Sequence, residues 1–451
     1  MNKQRLKKYA TAITIGCRLN QADTALIFDK LKNRGYEIVK SDTKEKLSLI
    51  VVNTCSVTGS ASQKCRQAAR SFRKKNPEAI IIVTGCSVDI ESDYWKNESS
   101  VNLIIPNSSK TRIDDYLNEL EGTNSSKSAT APESPLNTDT FIENAVGYYP
   151  FKSRANIKIQ EGCDSFCTYC IVPYGRGKPR SRNWNDTIRE FKELLKRGHR
   201  EIILTGVNIA TYNDGGKTLA DLLKNLVDIP GDFRIRLSST EPQFNTNDLI
   251  DVIKSTPKIC RFLHLPLQHG TDKILKRMGR NYTTEDFAEF VNSAVKQIPG
   301  ICIGTDIIVG FPGETDKLFS QCSDFIKHLP LSYLHVFRYS KRKGTPAADY
   351  TDQVAHNVAI IRHKALSDIG KELSNNLIAQ QLGETVKVLF EKHKNNELIG
   401  WTDNYIKVKV DCNKNSLFQT ALPSSQYWLN NFVNVQIHEI TGHREAKGIL
   451  V

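Results

Sequence analysis

No stretch of this sequence approaches the roughly 20 consecutive apolar residues that a membrane-spanning helix needs. Its opening, Met1-Asn2-Lys3-Gln4-Arg5-Leu6-Lys7-Lys8, is polar and runs into a strand-like segment, which is not the build of a signal peptide. A cytoplasmic protein without a membrane partner is expected. Acidic side chains are scarce: 49 Asp and Glu stand against 62 Lys and Arg in 451 residues, a formal charge of +13. The scarcity is local. Residues 60–77 hold six basic side chains and no acid, and residues 151–200 hold twelve basic against five acidic ones. Such patches favour a polyanionic partner, usually nucleic acid. A chain of this size in a reducing compartment has no need of a disulfide framework, so its 11 cysteines read first as metal ligands.

Large apolar residues are nearly absent from Glu121–Thr140, where only Leu136 qualifies. That segment cannot offset its ordering entropy and reads as a linker, residues 121–146. Before it, residues 8–120 alternate apolar runs with helical patterns. Thr11–Ile15, Leu47–Val52 and Ala79–Val83 are strand candidates of a parallel α/β sheet. After it, residues 147–378 carry six strand candidates with helices between them: Ala155–Ile159, Glu201–Leu204, Phe233–Leu237, Arg261–Leu265, Cys302–Val309 and Tyr333–Arg338. This is the pattern of a partial (βα)6 barrel, with chemistry at the C-terminal strand ends. Residues 382–451 read as short strands without helices, Glu384–Glu391, Ile399–Val410 and Phe432–Ile440, hence a small β-barrel. Its eight basic and seven acidic side chains give no electrostatic argument that it grips nucleic acid alone. The expected fold class is α/β, in three units.

Cys163, Cys167 and Cys170 are spaced C-x3-C-x2-C after the first barrel strand. A 4Fe–4S cluster ordinarily takes four cysteines, so three leave one iron open to chelate the amino and carboxylate groups of S-adenosylmethionine (SAM). An electron then splits the sulfonium and yields a 5′-deoxyadenosyl radical. Zinc would want a fourth protein ligand, and no further Cys or His lies close by in sequence. In this position the motif resembles that of the radical SAM superfamily. A second set is dispersed: Cys17 in Ile15-Gly16-Cys17-Arg18-Leu19-Asn20, Cys55 in Asn53-Thr54-Cys55-Ser56, and Cys86 in Thr84-Gly85-Cys86-Ser87. Each follows an apolar strand, and parallel strands share one C-terminal edge, so the three can converge. Taken singly, each reads better as a small buried hydrophobe; it is their repeated position that favours convergence. Cys65, Cys260, Cys302, Cys322 and Cys412 lack this placement and read as structural, although Cys65, in the basic segment, could be an exposed thiol.

Both cysteine sets, together with Ile171-Val172-Pro173-Tyr174-Gly175-Arg176-Gly177, Thr305-Asp306-Ile307-Ile308-Val309-Gly310-Phe311-Pro312-Gly313-Glu314-Thr315 and Tyr339-Ser340-Lys341-Arg342-Lys343-Gly344-Thr345-Pro346-Ala347, resemble the methylthiotransferase family almost end to end. The C-terminal unit resembles a TRAM domain. The resemblance implies two 4Fe–4S clusters. One, on Cys163, Cys167 and Cys170, cleaves SAM; an auxiliary one, on Cys17, Cys55 and Cys86, carries the sulfur. It also implies an external electron donor and a sulfur source; nothing in the sequence suggests more than a monomer. By analogy with radical SAM barrels, Gly206, Asn208, Glu241, Gln268, Asp306 and Arg338 are candidates for holding SAM, while Ser238 and Ser239 could equally cap a helix.

Branches of the family modify isopentenyladenosine in tRNA, threonylcarbamoyladenosine in tRNA, or an aspartate of a ribosomal protein. Gly16-Cys17-Arg18-Leu19-Asn20 and Asn53-Thr54-Cys55-Ser56-Val57-Thr58 look most like the threonylcarbamoyl branch. The ribosomal-protein branch usually has Pro after its first cysteine and the isopentenyl branch Gln-Met-Asn; Arg18 stands there here. A threonylcarbamoyl group carries a carboxylate, for which Arg is the natural partner. Arg176, Arg180 and Arg182 are the substrate-binding candidates, with phosphate binding an equal alternative. Lys64, Arg66, Arg70, Arg73, Lys74 and Lys75 repeat at helical spacing and are expected to meet the anticodon arm of tRNA. A reading from another class is a non-catalytic iron–sulfur protein that binds RNA.

Overall fold

The computed structural model describes residues 7–122, 141, 146–241, 248–414 and 428–451; the expected linker lies almost wholly outside them. Strands β1 (Lys8–Thr14), β2 (Tyr36–Ile38), β3 (Leu47–Thr54), β4 (Ile80–Gly85) and β5 (Leu103–Ile104) form one parallel sheet in the order β2-β1-β3-β4-β5. The apolar runs need no alternation because both faces are covered. Ile82 packs with Ile27 and Leu31 on one side, whereas Ile81 and Val83 pack with Cys65, Ala69 and Trp95 on the other. Helix α1 (Arg18–Asn33) starts at Cys17, and α2 (Gly59–Lys75) is capped by Thr58, whose side chain accepts from the Ala61 amide at 3.2 Å.

The central unit has six parallel strands: β6 (Arg154–Lys158), β7 (Glu201–Thr205), β8 (Arg234–Leu237), β9 (Phe262–His264), β10 (Cys302–Val309) and β11 (Tyr333–Arg338). Two ladders, β8-β7-β6 and β9-β10-β11, are joined by parallel bridges from Ile235 to Ile259 and from Ser239 to His264. The result is an open half-barrel. The C-terminal unit is a closed barrel of β12 (Thr385–Lys394), β13 (Glu397–Trp401), β14 (Lys407–Asp411), β15 (Phe432–Gly442) and β16 (Glu445–Leu450), in the order β12-β13-β14-β16-β15. The single strand expected over Ile399–Val410 is two strands around a turn in which Tyr405 has φ +66°.

This closed barrel seats under the N-terminal ends of the half-barrel strands. Arg154, which opens β6, donates to both Glu391 oxygens at 2.6 and 3.1 Å. Arg236 donates to the carbonyls of Thr402 and Asp403 at 2.9 and 2.8 Å, and Arg234 to that of Trp401 at 2.9 Å. Buried Glu201 accepts from Arg234 and Arg236 at 2.6 and 2.8 Å. Tyr405 rises into the half-barrel against Phe262, 4.7 Å between ring centres.

Cys260, Cys302 and Cys322 are buried, and burial pushes each thiol up to about 12. Their folded values lie above the unfolded one, so the stability tied to the neutral thiols is complete below about pH 9 and lost as pH rises toward 12. Denaturant midpoints should therefore fall across that window, and Cys322→Ala should remove part of the slope.

Candidate active site

The first cysteine set sits on the C-terminal edge of three adjacent strands. Thr14 pairs with Asn53, Asn53 with Thr84 and Thr54 with Gly85, so the cysteines that follow β1, β3 and β4 leave the sheet side by side. Gly16, at φ +128°, allows the close approach: a Cβ there would stand 2.9 Å from the Cys55 Cβ. Asn20 staples the edge by donating to the Ile15 and Thr54 carbonyls at 3.0 and 2.8 Å. Cys17 is exposed, while Cys55 and Cys86 are buried. Burial pushes the Cys55 thiol up to about 12, and the neighbouring Cys86 and Cys17 sulfurs add to the shift. Burial also raises Cys86, against the Arg176 guanidinium beside it. Three thiols that repel one another when ionised, next to fixed cations, fit a cationic iron cluster. Cys65 is buried rather than exposed, its sulfur 3.4 Å from the Cys55 amide.

The second set occupies the loop after β6, at the C-terminal mouth of the half-barrel. Gly162 turns the chain at φ +78°, where a Cβ would collide with the Lys178 carbonyl. The Cys163 amide donates to the Gly177 carbonyl at 3.0 Å, the Thr168 amide to that of Met278 at 2.9 Å, and the Cys170 amide to that of Cys167 at 2.9 Å. Arg280 donates to the Cys167 sulfur at 3.3 Å and is itself held by Glu241. Burial pushes Cys170 up to about 12, with the Cys167 and Cys163 sulfurs contributing. Mutually interacting thiols with a guanidinium against one sulfur again fit a cluster, since ligating cysteines must be deprotonated.

Between the sets runs a buried ionic strut. Helix α3 (Val172–Arg176) carries Arg176 inward, where it donates to Glu161 at 2.6 Å and to Asn20 at 2.5 Å and lies 3.5 Å from Asp23. Lys110 is 2.6 Å from Asp23, and Lys158 is 2.9 Å from Asp23 and 3.2 Å from Glu161. Burial alone would raise Glu161; Lys158, Lys110 and Arg176 outweigh it and hold the carboxyl well below its usual range. Arg176 and Arg182 are thus corrected as substrate ligands. Both are buried, Arg176 in this strut and Arg182 on Asp186 and Glu190. Arg180 is half-buried, 3.6 Å from Glu161.

Gly206, Asn208, Glu241 and Gln268 all follow strand ends at the mouth that holds Cys163, Cys167 and Cys170. Gly206 packs on Gln160, and the Asn208 side chain caps a short turn through the Ala210 amide at 3.2 Å. Glu241 borders a cavity of about 310 Å³ with Thr240 and Leu265. Gln268, at φ +71°, bridges to Ile307. Asp306 lies deeper, 2.9 Å from His264 and 3.3 Å from His335. Burial would raise its carboxyl, but these imidazoles hold it below the usual range. Arg338 is exposed on His356 at 3.0 Å. On α2, Arg66 and Arg70 pair with Glu91 and Glu98 and Arg73 donates to the carbonyls of Pro77 and Ala79; Lys64, Arg70, Lys74 and Lys75 are the exposed cations. Asp23, Lys110, Lys158, Arg280, His264 and His335 carried no sequence signal beyond polar residues on faces that ought to be apolar.

Residues 157–326 match the model of the radical SAM superfamily, and residues 9–106 that of the uncharacterized protein family UPF0004. A half-barrel with a three-cysteine loop at its mouth and this match define a radical SAM enzyme, which works with a 4Fe–4S cluster and SAM. The chain is 35% identical over 447 residues to the threonylcarbamoyladenosine tRNA methylthiotransferase MtaB of Bacillus subtilis, covering 95% of this chain and 97% of that one. It belongs to the radical SAM tRNA methylthiotransferase family. It is also 35% identical over 419 residues to a tRNA-2-methylthio-N(6)-dimethylallyladenosine synthase of Clostridium tetani, 90% of each chain. Among solved structures, the radical SAM methyltransferase TsrM of Kitasatospora setae superposes with a TM-score of 0.55 at 14% identity, over 76% of this chain and 75% of that one, a likeness of fold. No helix among the described residues is long and apolar enough to cross a membrane.

Proposed function

We propose that the chain places a methylthio group on carbon 2 of N6-threonylcarbamoyladenosine, beside the anticodon of tRNA. One observation carries the choice of substrate. Arg18, the residue after Cys17, lines a cavity of about 310 Å³ at the seam between β6 and the closed C-terminal barrel, with Lys152, Arg154, Lys392, Glu391, Asn156 and Tyr405. Its guanidinium donates to the Tyr405 hydroxyl at 2.8 Å. Glu391, the one carboxylate among four cations, is already taken by Arg154. A threonylcarbamoyl carboxylate matches that surplus of positive charge, whereas an isopentenyl chain would bury hydrocarbon against unpaired cations. The relatives of either substrate are about equally similar, so the reading rests on this pocket.

In this reading Cys163, Cys167 and Cys170 would hold a 4Fe–4S cluster that supplies the electron for SAM cleavage, and Cys17, Cys55 and Cys86 would hold a second cluster that supplies the sulfur. An aromatic C–H offers no acidic proton, which is why polar residues alone do not suffice. Arg280 offsets charge on Cys167, with Glu241 fixing its plane. Arg176 does the same beside Cys86. Gly206, Asn208, Glu241 and Gln268 line the mouth where SAM would lie. Arg18 orients the substrate. An electron donor and a sulfur source come from outside, in the cytoplasm.

Nucleosides of tRNA from a deletion strain test the substrate. Loss of the 2-methylthio form of threonylcarbamoyladenosine alone supports the reading; loss of the isopentenyl product instead overturns it. Arg18→Gln should lower kcat/KM by roughly 10–100-fold, chiefly through KM, because a charge-assisted bond to bound substrate is lost.

A further inference from the structure

The geometry points to a divalent metal site within the half-barrel, apart from both cysteine sets, made by His264, Asp306 and His335. The three stand on adjacent strands. Asp306 and His335 are register partners between β10 and β11, and His264 pairs with Gly304 two residues away on the same face. His264 Nε2 and His335 Nδ1 approach one atom, Asp306 Oδ1, at 2.9 and 3.3 Å, and the three donor atoms lie within 4.8 Å of one another. An ion bonded at about 2.0–2.1 Å sets neighbouring donors about 2.9–3.4 Å apart. The two imidazole–carboxylate separations already fall in that range.

A mutual hydrogen-bond network explains the trio less well. Asp306 Oδ1 is buried, yet neither imidazole meets it at hydrogen-bonding angles, so it is an acceptor aimed at the gap without a donor. His264 turns its other nitrogen to the Tyr333 hydroxyl at 2.9 Å. That is the outer contact that fixes the ring plane of a metal-ligating histidine. Tyr333 stacks beside His264 only because residue 304 is glycine; a Cβ there would overlap the Tyr333 ring.

Two imidazoles and one carboxylate select a first-row ion such as zinc, iron(II) or cobalt over magnesium or calcium. The His335 side chain is 45% exposed, so coordination positions stay open toward the interior. Water or an oxygen ligand of a bound molecule would fill them. The site does not depend on which adenosine is the substrate.

Zinc is the probe, since iron is counted in the clusters. Full-length protein, reconstituted anaerobically and then desalted from zinc, should retain about one zinc per chain, with only nitrogen and oxygen in its X-ray absorption first shell. Asp306→Asn and His335→Ala should each weaken retention at least about tenfold. Iron and sulfide contents should stay unchanged, which separates ligand loss from misfolding; His335, being half-exposed, is the safer variant. Zinc lost on desalting, a sulfur shell around it, or undiminished retention in both variants overturns the site.

Discussion

Replacing Cys17, Cys55 and Cys86 together by alanine is expected to abolish methylthio transfer while reductive SAM cleavage stays within about twofold of the unaltered chain. The expectation follows from where the two sets are anchored. The first belongs to the edge of the N-terminal sheet. The second is held by its own loop contacts, to Gly177 and Met278, and by Arg280. None of those contacts passes through Cys17, Cys55 or Cys86. Iron should fall from about eight to about four per chain if both clusters are cubanes. The converse variant, with Cys163, Cys167 and Cys170 replaced, should lose both cleavage and transfer and keep about four irons. Counting 5′-deoxyadenosine, iron and modified nucleoside in parallel decides the matter. Transfer that survives the first variant would remove the N-terminal cysteines from the chemistry; four irons falling to none in the second would leave them without a cluster.

Arg176→Ala should destabilise the chain by about 3 kcal/mol, near the lower end for breaking a buried ion pair because Lys110 and Lys158 remain. Asp23 and Glu161 would each lose a partner in the interior, Asp23 out of reach of water and Glu161 nearly so. Arg176→Lys should recover part of this, since one ammonium cannot serve Glu161 and Asn20 together as the guanidinium does. The loss should depend on acidity. Glu161 is held below its unfolded value, so its contribution is complete above the ordinary carboxylate range and disappears as pH falls through and below that range. Chemical denaturation at pH 7 and at pH 4 measures both effects. A variant as stable as the parent at pH 7 would show that the strut does not bind the two halves together.

The strands were legible where β-branched, aromatic and other apolar residues dominate: Cys302–Val309 and Tyr333–Arg338 appear residue for residue, although Asp306 and His335 interrupt them. Strands of two or three residues, Leu103–Ile104 and Tyr36–Ile38, are too short to show any period. Glu445–Leu450 escaped because its outward residues are charged and its turn is polar; Lys407 and Lys409 clasp Glu445 there at 2.6 and 2.8 Å. Where the six cysteines fall was readable from one rule, that parallel strands share a C-terminal edge. The strut was not. Residues 23, 110, 158, 161 and 176 meet only once two units have packed, and a basic loop looks alike in sequence whether its arginines face solvent or, like Arg176 and Arg182, the interior.

The seating of the C-terminal barrel also orders events in the life of the chain. Glu201, Arg234 and Arg236 are made early, yet the carbonyls that complete them belong to Trp401, Thr402 and Asp403. While the ribosome still holds those residues, the base of the half-barrel stands open to water with its charges unburied. A chain growing from its N-terminus can assemble the first sheet independently. The catalytic unit closes last, so a chain released too early is left with an unsealed floor rather than merely a missing appendage.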